Sequence, residues 1–548
     1  FKSTGRAVRI KPPTLYALAI IGGCLTGLGD APGPPAADPG GTIESLAPIW
    51  RLLAGVLGFA FFFANSGLAS GMPGPCAPGR SRHGLALMYS GTAAFLFAAV
   101  FLATTLYWLY DGAIEFFGSG AAAIKLFAAS AVTIFIAALT LPFVILSMAL
   151  TGAFEFASAH KQRATAGAFI RLAQMNVYLA QIAAPFVLIA LIASCHRLAF
   201  GFAWFEFGQW LLDFERAGAL IHVFGARWSG AVPLGFAAAI APAIIKIARG
   251  DPPGRSAWVI LRNIGLVCAL LTPAAIALSL NEPPDAPGDR LRVALIAGVP
   301  PARGRAPRER VALHLSETLR FARSLGSPQE IDLILWPESV ADETHFTARS
   351  VLVRRLAEAG LSPKADLWFG ARAPAGNESL HNTIHSLRED RVLYRKRELV
   401  PFTERLPETA AFFRWLMPHQ FKFTTRNQAE LSPAPSGAEG DFHWRAPNGG
   451  VFAVSAAICY ESAFARLISP PADRPFPGFI VNAGNETWFE FEILKRYTLR
   501  QARARALENR LPLVRIVSGG YSGLIDARGR VVRLLRSSSA QVLVEARP

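Results

Sequence analysis

Charge is what this chain has least of. Only 17% of its 548 residues are charged while 52% are hydrophobic, with a mean hydropathy of +0.32. That balance excludes disorder and a coiled coil, and it is too apolar for an ordinary soluble protein of this length. Acidic residues are the scarcer sign, 39 against 55 Lys+Arg, for a formal net charge of +16. The basic residues are not run together into a stripe, which argues against nucleic acid and for an anionic membrane surface as partner. Cysteine is also sparse. Cys24, Cys76, Cys195, Cys268 and Cys459 show neither CxxC nor Cys/His spacing, so no zinc site, other metal site or disulfide framework is expected.

What is present is a series of apolar stretches near spanning length that stops half-way along the chain. They run over Thr14–Leu28, Leu46–Ala64, Leu85–Tyr107, Leu126–Leu150, Val177–Cys195, Ala231–Ile247 and Trp258–Leu280, about seven spans. The first is short and follows Lys2, Arg6, Arg9 and Lys11, so a cleaved signal peptide is the alternative reading. Basic loops (Arg80 and Arg82; Lys161, Arg163 and Arg171; Lys246, Arg249 and Arg255) alternate with acidic or mixed ones, which places the basic loops inside and everything after Leu280 outside. The sequence predicts a membrane unit over residues 1–280, a Pro-rich linker over 281–289 and a catalytic unit over 290–548.

Past the linker, short β-rich runs alternate with helical stretches, an α/β pattern. Strands are expected at Arg292–Ala297, Leu333–Leu335, Leu367–Ala371, Thr383–Leu387, Phe452–Ala457, Phe479–Asn482, Leu513–Val517 and Ser522–Ile525, with helices at Arg308–Ser324 and Thr498–Asn509. Three segments carry chemistry. Leu333-Ile334-Leu335 runs into Trp336-Pro337-Glu338, delivering a carboxylate to a strand's C-terminal end, where α/β sheets usually hold their chemistry; a simple turn cap would look the same. Lys396 and Glu404 flank an apolar Leu399-Val400-Pro401-Phe402 core, although such a basic run also suits a solvated face. Finally, Val454–Ile458 reads as a strand that ends on Cys459, with Tyr460 and Glu461 following. Cys459 is the only cysteine of the C-terminal half, so it is either a buried structural thiol or a nucleophile. A thiol nucleophile needs a base, and an acyl-transfer intermediate needs positive charge against its oxyanion; Glu338 and Lys396 supply those two functions.

In that order, LILWPES, YRKRELVPFTERLP and ICYES resemble the Glu-Lys-Cys nitrilase superfamily and, within it, the membrane-bound apolipoprotein N-acyltransferases. The resemblance extends to Leu106–Tyr110, to the Arg197–Trp210 segment, to Gly225–Gly230, and to Asn485-Glu486-Thr487-Trp488-Phe489. It implies a transmembrane helical bundle joined to an αββα sandwich, with Cys459 as nucleophile, Glu338 as general base and Lys396 stabilising the intermediates. Glu404, Tyr460 and Glu461 would support that triad, and Asn485, Trp488 and Phe489 would meet substrate. The implied partners are a membrane phospholipid as acyl donor and a diacylated apolipoprotein as acceptor, with no cofactor, at a bacterial inner membrane with the catalytic unit in the periplasm. A membrane paralogue acting on a different amide or acceptor is the competing expectation, because Glu486 replaces the family's usual Asp and Ser518-Gly519-Gly520 replaces an Asn-containing turn. Tyr107, Trp108, Tyr110, Trp204 and Trp210 suit a membrane interface, as substrate contacts or as belt anchors.

Overall fold

The computed structural model describes residues 11–30, 47–70, 82–107, 109–110, 122–163, 180, 182–194, 206–250, 252, 254, 257–265, 267–268, 291–297, 306–324, 331–342, 354, 365–376, 379–401, 404–405, 431–435, 440–468, 477–487, 491–535 and 541–546. The chain divides into two compact units, the second running from Glu282 to Pro548.

The first unit is helical. Its long helices are α1 (Pro12–Asp30), α2 (Ala47–Ala69), α3 (Arg82–Leu106), α4 (Ala122–Leu139), α5 (Leu141–Arg163), α6 (Glu215–Trp228) and α7 (Ala231–Ala248). Among the described residues four stretches are long and apolar enough to cross a membrane: Pro48–Ala69, His83–Leu106, Val132–Ala157 and Ala231–Ala248. Pro12–Leu28 and Ile182–Ser194 are shorter apolar helices, and most of the expected span Trp258–Leu280 lies outside the described residues. The expected span Leu126–Leu150 is two helices joined at Thr140, where Pro142 cannot donate to the helix ladder.

Small residues let these helices approach closely. A Cβ on Gly58 of α2 would lie 2.6 Å from the Gly22 carbonyl oxygen of α1, and one on Gly23 would lie 2.5 Å from the Phe97 carbonyl oxygen of α3. Around Phe59, Phe62, Phe97 and Phe143 the same unit packs a cluster of rings, with Phe62 and Phe97 centred 4.9 Å apart. Trp210 corrects the aromatic-belt expectation. It is buried, donating its indole N–H to Asp30 Oδ1 over 2.9 Å at the end of α1, because a Trp held in an apolar unit still needs a partner for that donor. Tyr107 is exposed, whereas Trp108 and Trp204 lie outside the described residues.

The second unit is a two-sheet sandwich between helices. The first sheet contains β1 (Leu291–Ile296), β2 (Leu333–Leu335), β3 (Ala341–Asp342), β4 (Asp366–Gly376), β5 (Ser379–Ser386), β6 (Arg391–Arg395) and the chain-terminal β13 (Gln541–Ala546), in the order β13-β1-β2-β4-β5-β6 with β3 beside β4. The second runs β12 (Val531–Leu535), β11 (Ser522–Ile525), β10 (Leu513–Ser518), β9 (Gly478–Asn485), β8 (Val451–Ile458) and β7 (Asp441–Arg445). Both mix parallel centres with antiparallel edges.

Side-chain alternation sorts the layers. Leu291, Val293 and Leu295 of β1 join Phe452, Val454, Ala456 and Ile458 of β8 and Val514 and Ile516 of β10 in the core between the sheets. The intervening Ala294 and Ile296 point outward to Val311, Leu315 and Leu319 of α8 (Pro307–Ser324). On the outer face of the second sheet lies α9 (Glu492–Asn509), which starts six residues before the expected Thr498. This is the αββα arrangement, and the strands β2, β6 and β8 each end on one of the three chemical segments.

Candidate active site

Two of the three segments leave their strands by a sharp turn, and the third continues its strand's pairing. Glu338 is held against β4: Trp336 N donates to Trp368 O, Gly370 N to Pro337 O, and Val340 N to Gly370 O. Ser339 then takes a left-handed φ of 59°. Lys396 follows β6 by one residue and still pairs with β5 through Lys396 N and Asn382 O at 2.8 Å. Cys459 opens a short 3-10 turn at the exit of β8 with φ 53°, a conformation that a residue with a Cβ adopts only when its surroundings enforce it.

The structure brings Glu338, Lys396 and Glu404 into one hydrogen-bonded cluster. Lys396, fully buried, donates to Glu404 Oε1 at 2.8 Å and to Glu338 Oε1 at 3.3 Å. Asn382, on β5, donates to the same Glu338 oxygen at 2.6 Å and to Glu404 Oε1 at 3.3 Å, while its own buried Oδ1 has no partner among the described residues. Glu404 Oε2 accepts from Val400 N at 2.7 Å, which closes the loop after Lys396 on its carboxylate.

Electrostatics follow from this packing. Burial pushes the Glu338 carboxyl above the ordinary glutamate range and Glu404 pushes it further, against the pull of Lys396. Burial works against the Lys396 charge, yet Glu338 and Glu404 outweigh it and hold the ammonium protonated well above the usual lysine range. Burial, then the charge of Glu338, raises the Cys459 thiol, with Lys396 opposing. At rest the thiol is therefore neutral. Moving its proton to Glu338 leaves the summed charge of the cluster unchanged, whereas losing it to solvent would add a buried anion.

Glu461 has a different position from that of an acid-base group. Its carboxylate is fully buried and saturated: Oε1 accepts from Arg397 N at 2.7 Å and Glu398 N at 3.0 Å, and Oε2 from Ile458 N at 2.7 Å and Tyr394 Oη at 2.8 Å. It ties the loop that carries Lys396 to the turn that carries Cys459. Tyr460 packs its ring on Phe464, centroids 5.0 Å apart, inside the same turn. Asn485 Oδ1 is taken by Thr487, through N at 3.1 Å and Oγ1 at 2.7 Å, while Trp488 and Phe489 lie outside the described residues.

Sequence reasoning missed Asn382, which carries no motif signal because it is one of several polar residues on β5, Ser379-Leu380-His381-Asn382-Thr383-Ile384-His385-Ser386. It also missed the buried row behind Cys459, formed by Asn482 and Arg515 with Glu486 beside it. An arginine inside the run Leu513-Val514-Arg515-Ile516-Val517 is the signal that could have pointed there, since an isolated charge on a buried strand needs a built partner set.

Residues 310–547 match the model of the carbon-nitrogen hydrolase family. The apolipoprotein N-acyltransferase of Rhodopseudomonas palustris is 29% identical over 359 residues, covering 61% of this chain and 62% of that protein. That of Caulobacter vibrioides is 27% identical over 329 residues, covering 58% and 57%. The chain thus spans 57% to 62% of these curated relatives. An amidase from Nesterenkonia sp. AN1 overlaps 48% of this chain and 92% of its own at 18% identity and a TM-score of 0.33.

Proposed function

We propose that this chain, whose C-terminal unit is a carbon-nitrogen hydrolase domain, is a membrane-bound N-acyltransferase that moves an acyl chain from a phospholipid to the α-amino group of a diacylated apolipoprotein. The observation that supports the reading is the buried Lys396–Glu338 pair at two strand ends, with Cys459 at the exit of a third strand, in a chain whose other unit is built of apolar helices. Two lipid-anchored substrates give the helical unit its purpose, since the chemistry then has to occur at a membrane surface. The alternation of basic and acidic loops supports an inner-membrane protein with the catalytic unit in the periplasm.

In the first stage Glu338 accepts the thiol proton as Cys459 Sγ bonds to the ester carbonyl carbon. Lys396 Nζ offsets the oxyanion, the C–O bond breaks, and the lysophospholipid leaves with the proton from Glu338. In the second stage the acceptor amine bonds to the thioester carbon and gives its proton to Glu338. The C–S bond breaks and the thiol is restored. Splitting ester-to-amide exchange through a thioester replaces one difficult substitution by two easier ones. A raised Glu338 suits both proton transfers, because a base works best when its affinity for the proton lies near that of its partner at the working pH. Glu404 orients Lys396, and Glu461 with Tyr460 holds the nucleophile turn.

The test is direct. Membranes carrying the protein, given phospholipid and a diacylated lipopeptide, should yield the triacylated product by mass spectrometry, and Cys459→Ala should abolish it. Product formation that survives Cys459→Ala rejects the mechanism.

A further inference from the structure

Behind the nucleophile, on the outer face of the second sheet, Ala457, Asn482 and Arg515 stand side by side on β8, β9 and β10 in a single cross-strand row. Asn482 donates from Nδ2 to Ala457 O at 3.2 Å and to Cys459 O at 3.5 Å. Its Oδ1 accepts from Arg515 Nη1. This fixes the orientation of the amide, because a guanidinium only donates and the two carbonyls only accept. Arg515 is itself pinned on every side: Nη2 donates to Glu486 Oε1 and to Thr498 Oγ1 of α9 at 3.0 Å, and Nε to Tyr521 O at 3.0 Å. Asn482 and Arg515 are buried to within 1% exposure and Glu486 to within 4%.

We infer that Arg515 is a positioning residue for the nucleophile: through Asn482 it holds the Cys459 carbonyl, and with it the left-handed turn that presents the thiol to Glu338 and Lys396. The inference rests on the reading of Cys459 as nucleophile. A φ of 53° at a cysteine persists only if neighbouring bonds over-determine it, and the carbonyl of that residue is where they converge, Ser462 Oγ donating to it as well at 3.2 Å. Glu486 has the companion role. Its Oε1 shares Arg515 with Asn482, so the guanidinium is neutralised in place and its fork cannot rotate away. Gly520 is part of this construction, because a Cβ there would lie 2.0 Å from Glu486 Oε2 and displace the carboxylate. A lysine in place of Arg515 would keep the charge but could not reach Asn482, Glu486 and the Tyr521 carbonyl together, since its donors radiate from one atom.

The experiment uses the full-length membrane protein and reads the reaction of Cys459 with an activated thioester-forming acyl ester, followed by intact mass, so no acceptor is needed. Arg515→Lys retains the Glu486 pair, and Asn482→Asp retains the Arg515 pair while losing both donors to the carbonyls. Each should lower the thermal midpoint and, in the fraction that stays folded, slow acylation by roughly tenfold or more, with the half-saturating ester concentration within about twofold. Asn482→Gln, which retains the amide, should recover part of the rate. Wild-type rates in both folded variants, or losses that merely follow the folded fraction, overturn the inference. Failure of the wild-type Cys459 to acylate at all instead strikes the underlying reading.

Discussion

Gly370 and Glu338 meet backbone to backbone: a Cβ built on Gly370 would lie 2.5 Å from Glu338 Cα and 2.5 Å from the Pro337 carbonyl oxygen. The turn that presents the carboxylate is therefore shaped against β4, and the missing side chain on β4 is part of how Glu338 reaches Lys396. Gly370→Ala should push the turn outward, with a stability loss of about 1–3 kcal/mol and a fall in acyl transfer well beyond what the folded fraction explains. Parallel denaturation and turnover measurements separate the two effects.

Removing Lys396 and removing Glu404 should differ in kind. Lys396→Met leaves the buried Glu338 beside the half-buried Glu404 with no cation, which should cost about 3–5 kcal/mol or force one to take up a proton, and should eliminate activity. Glu404→Gln keeps one carboxylate for Lys396 and an oxygen for Val400 N, so the protein should remain folded while turnover falls. Urea melts at neutral pH, compared with those at pH 5, show whether Lys396→Met recovers stability once the carboxylates are protonated.

Activity should carry an acidic limb set by Glu338. In the proposed mechanism the group has to be ionised to accept the thiol proton, and burial places its titration above that of an ordinary glutamate, so turnover should fall as the pH drops through that raised value. A profile of kcat/KM against pH checks it. A limb at the ordinary carboxylate position would mean that the base is solvated during turnover.

Stability should have its own acid dependence. His314 lies buried on α8 against Trp336, with rings 5.6 Å apart, and burial holds it down to about 4 from its ordinary 6.5. An unfolded chain takes up this proton as pH falls through 6.5 and the folded one does not until about 4, so the stability from neutral His314 is complete above 6.5 and is lost across that window. The difference amounts to about 3 kcal/mol. His385, also held at about 4 by burial, adds in the same direction. Subtracting the pH–stability curve of His314→Gln from that of wild type should leave this slope.

Glu461 should behave as a structural clamp. Glu461→Ala strands the amides of Arg397, Glu398 and Ile458 and the hydroxyl of Tyr394 without their acceptor, at a cost of about 3 kcal/mol or more. Hydrogen exchange should rise at residues 396–398 and 458–461 together, because one carboxylate holds both segments.

In the helical unit, Gly58→Leu should wedge α1 from α2, since no atom fits between Gly58 and the Gly22 carbonyl. Loss of the folded membrane protein in detergent, with Gly152→Leu as a control where a Cβ meets nothing within 4 Å, checks this.

Two of the strand-end motifs were readable because each runs an apolar strand into a residue type that the core would otherwise reject. Leu333–Leu335 leads to Glu338 and Val454–Ile458 to Cys459, and both strands lie where the apolar runs put them, whereas the strand before Lys396 went unread. Strands β3, β6, β7, β12 and β13 were not anticipated; β6 (Arg391–Arg395) and β7 (Asp441–Arg445) are edge strands that mix polar and apolar side chains, and edge strands carry a weak apolar signal. The break at Thr140 escaped because hydropathy alone does not register one proline in an apolar run. Trp210 was misjudged for a related reason: its partner, Asp30, is 180 residues away, and no local pattern joins them. Asn382 and Arg515 depend on cross-strand neighbours in the same way, so their roles emerge only from sheet register.

The antiparallel pairing of β13 with β1, Leu291 opposite Ala546, joins the first and last strands of the second unit. During synthesis β1 emerges some 250 residues before its edge partner, so this sheet must wait with one flank open while the rest of the unit is made. Closure of this edge is thus a late event of high contact order, and an unpaired β1 edge is where a nascent chain would be most exposed to misassociation.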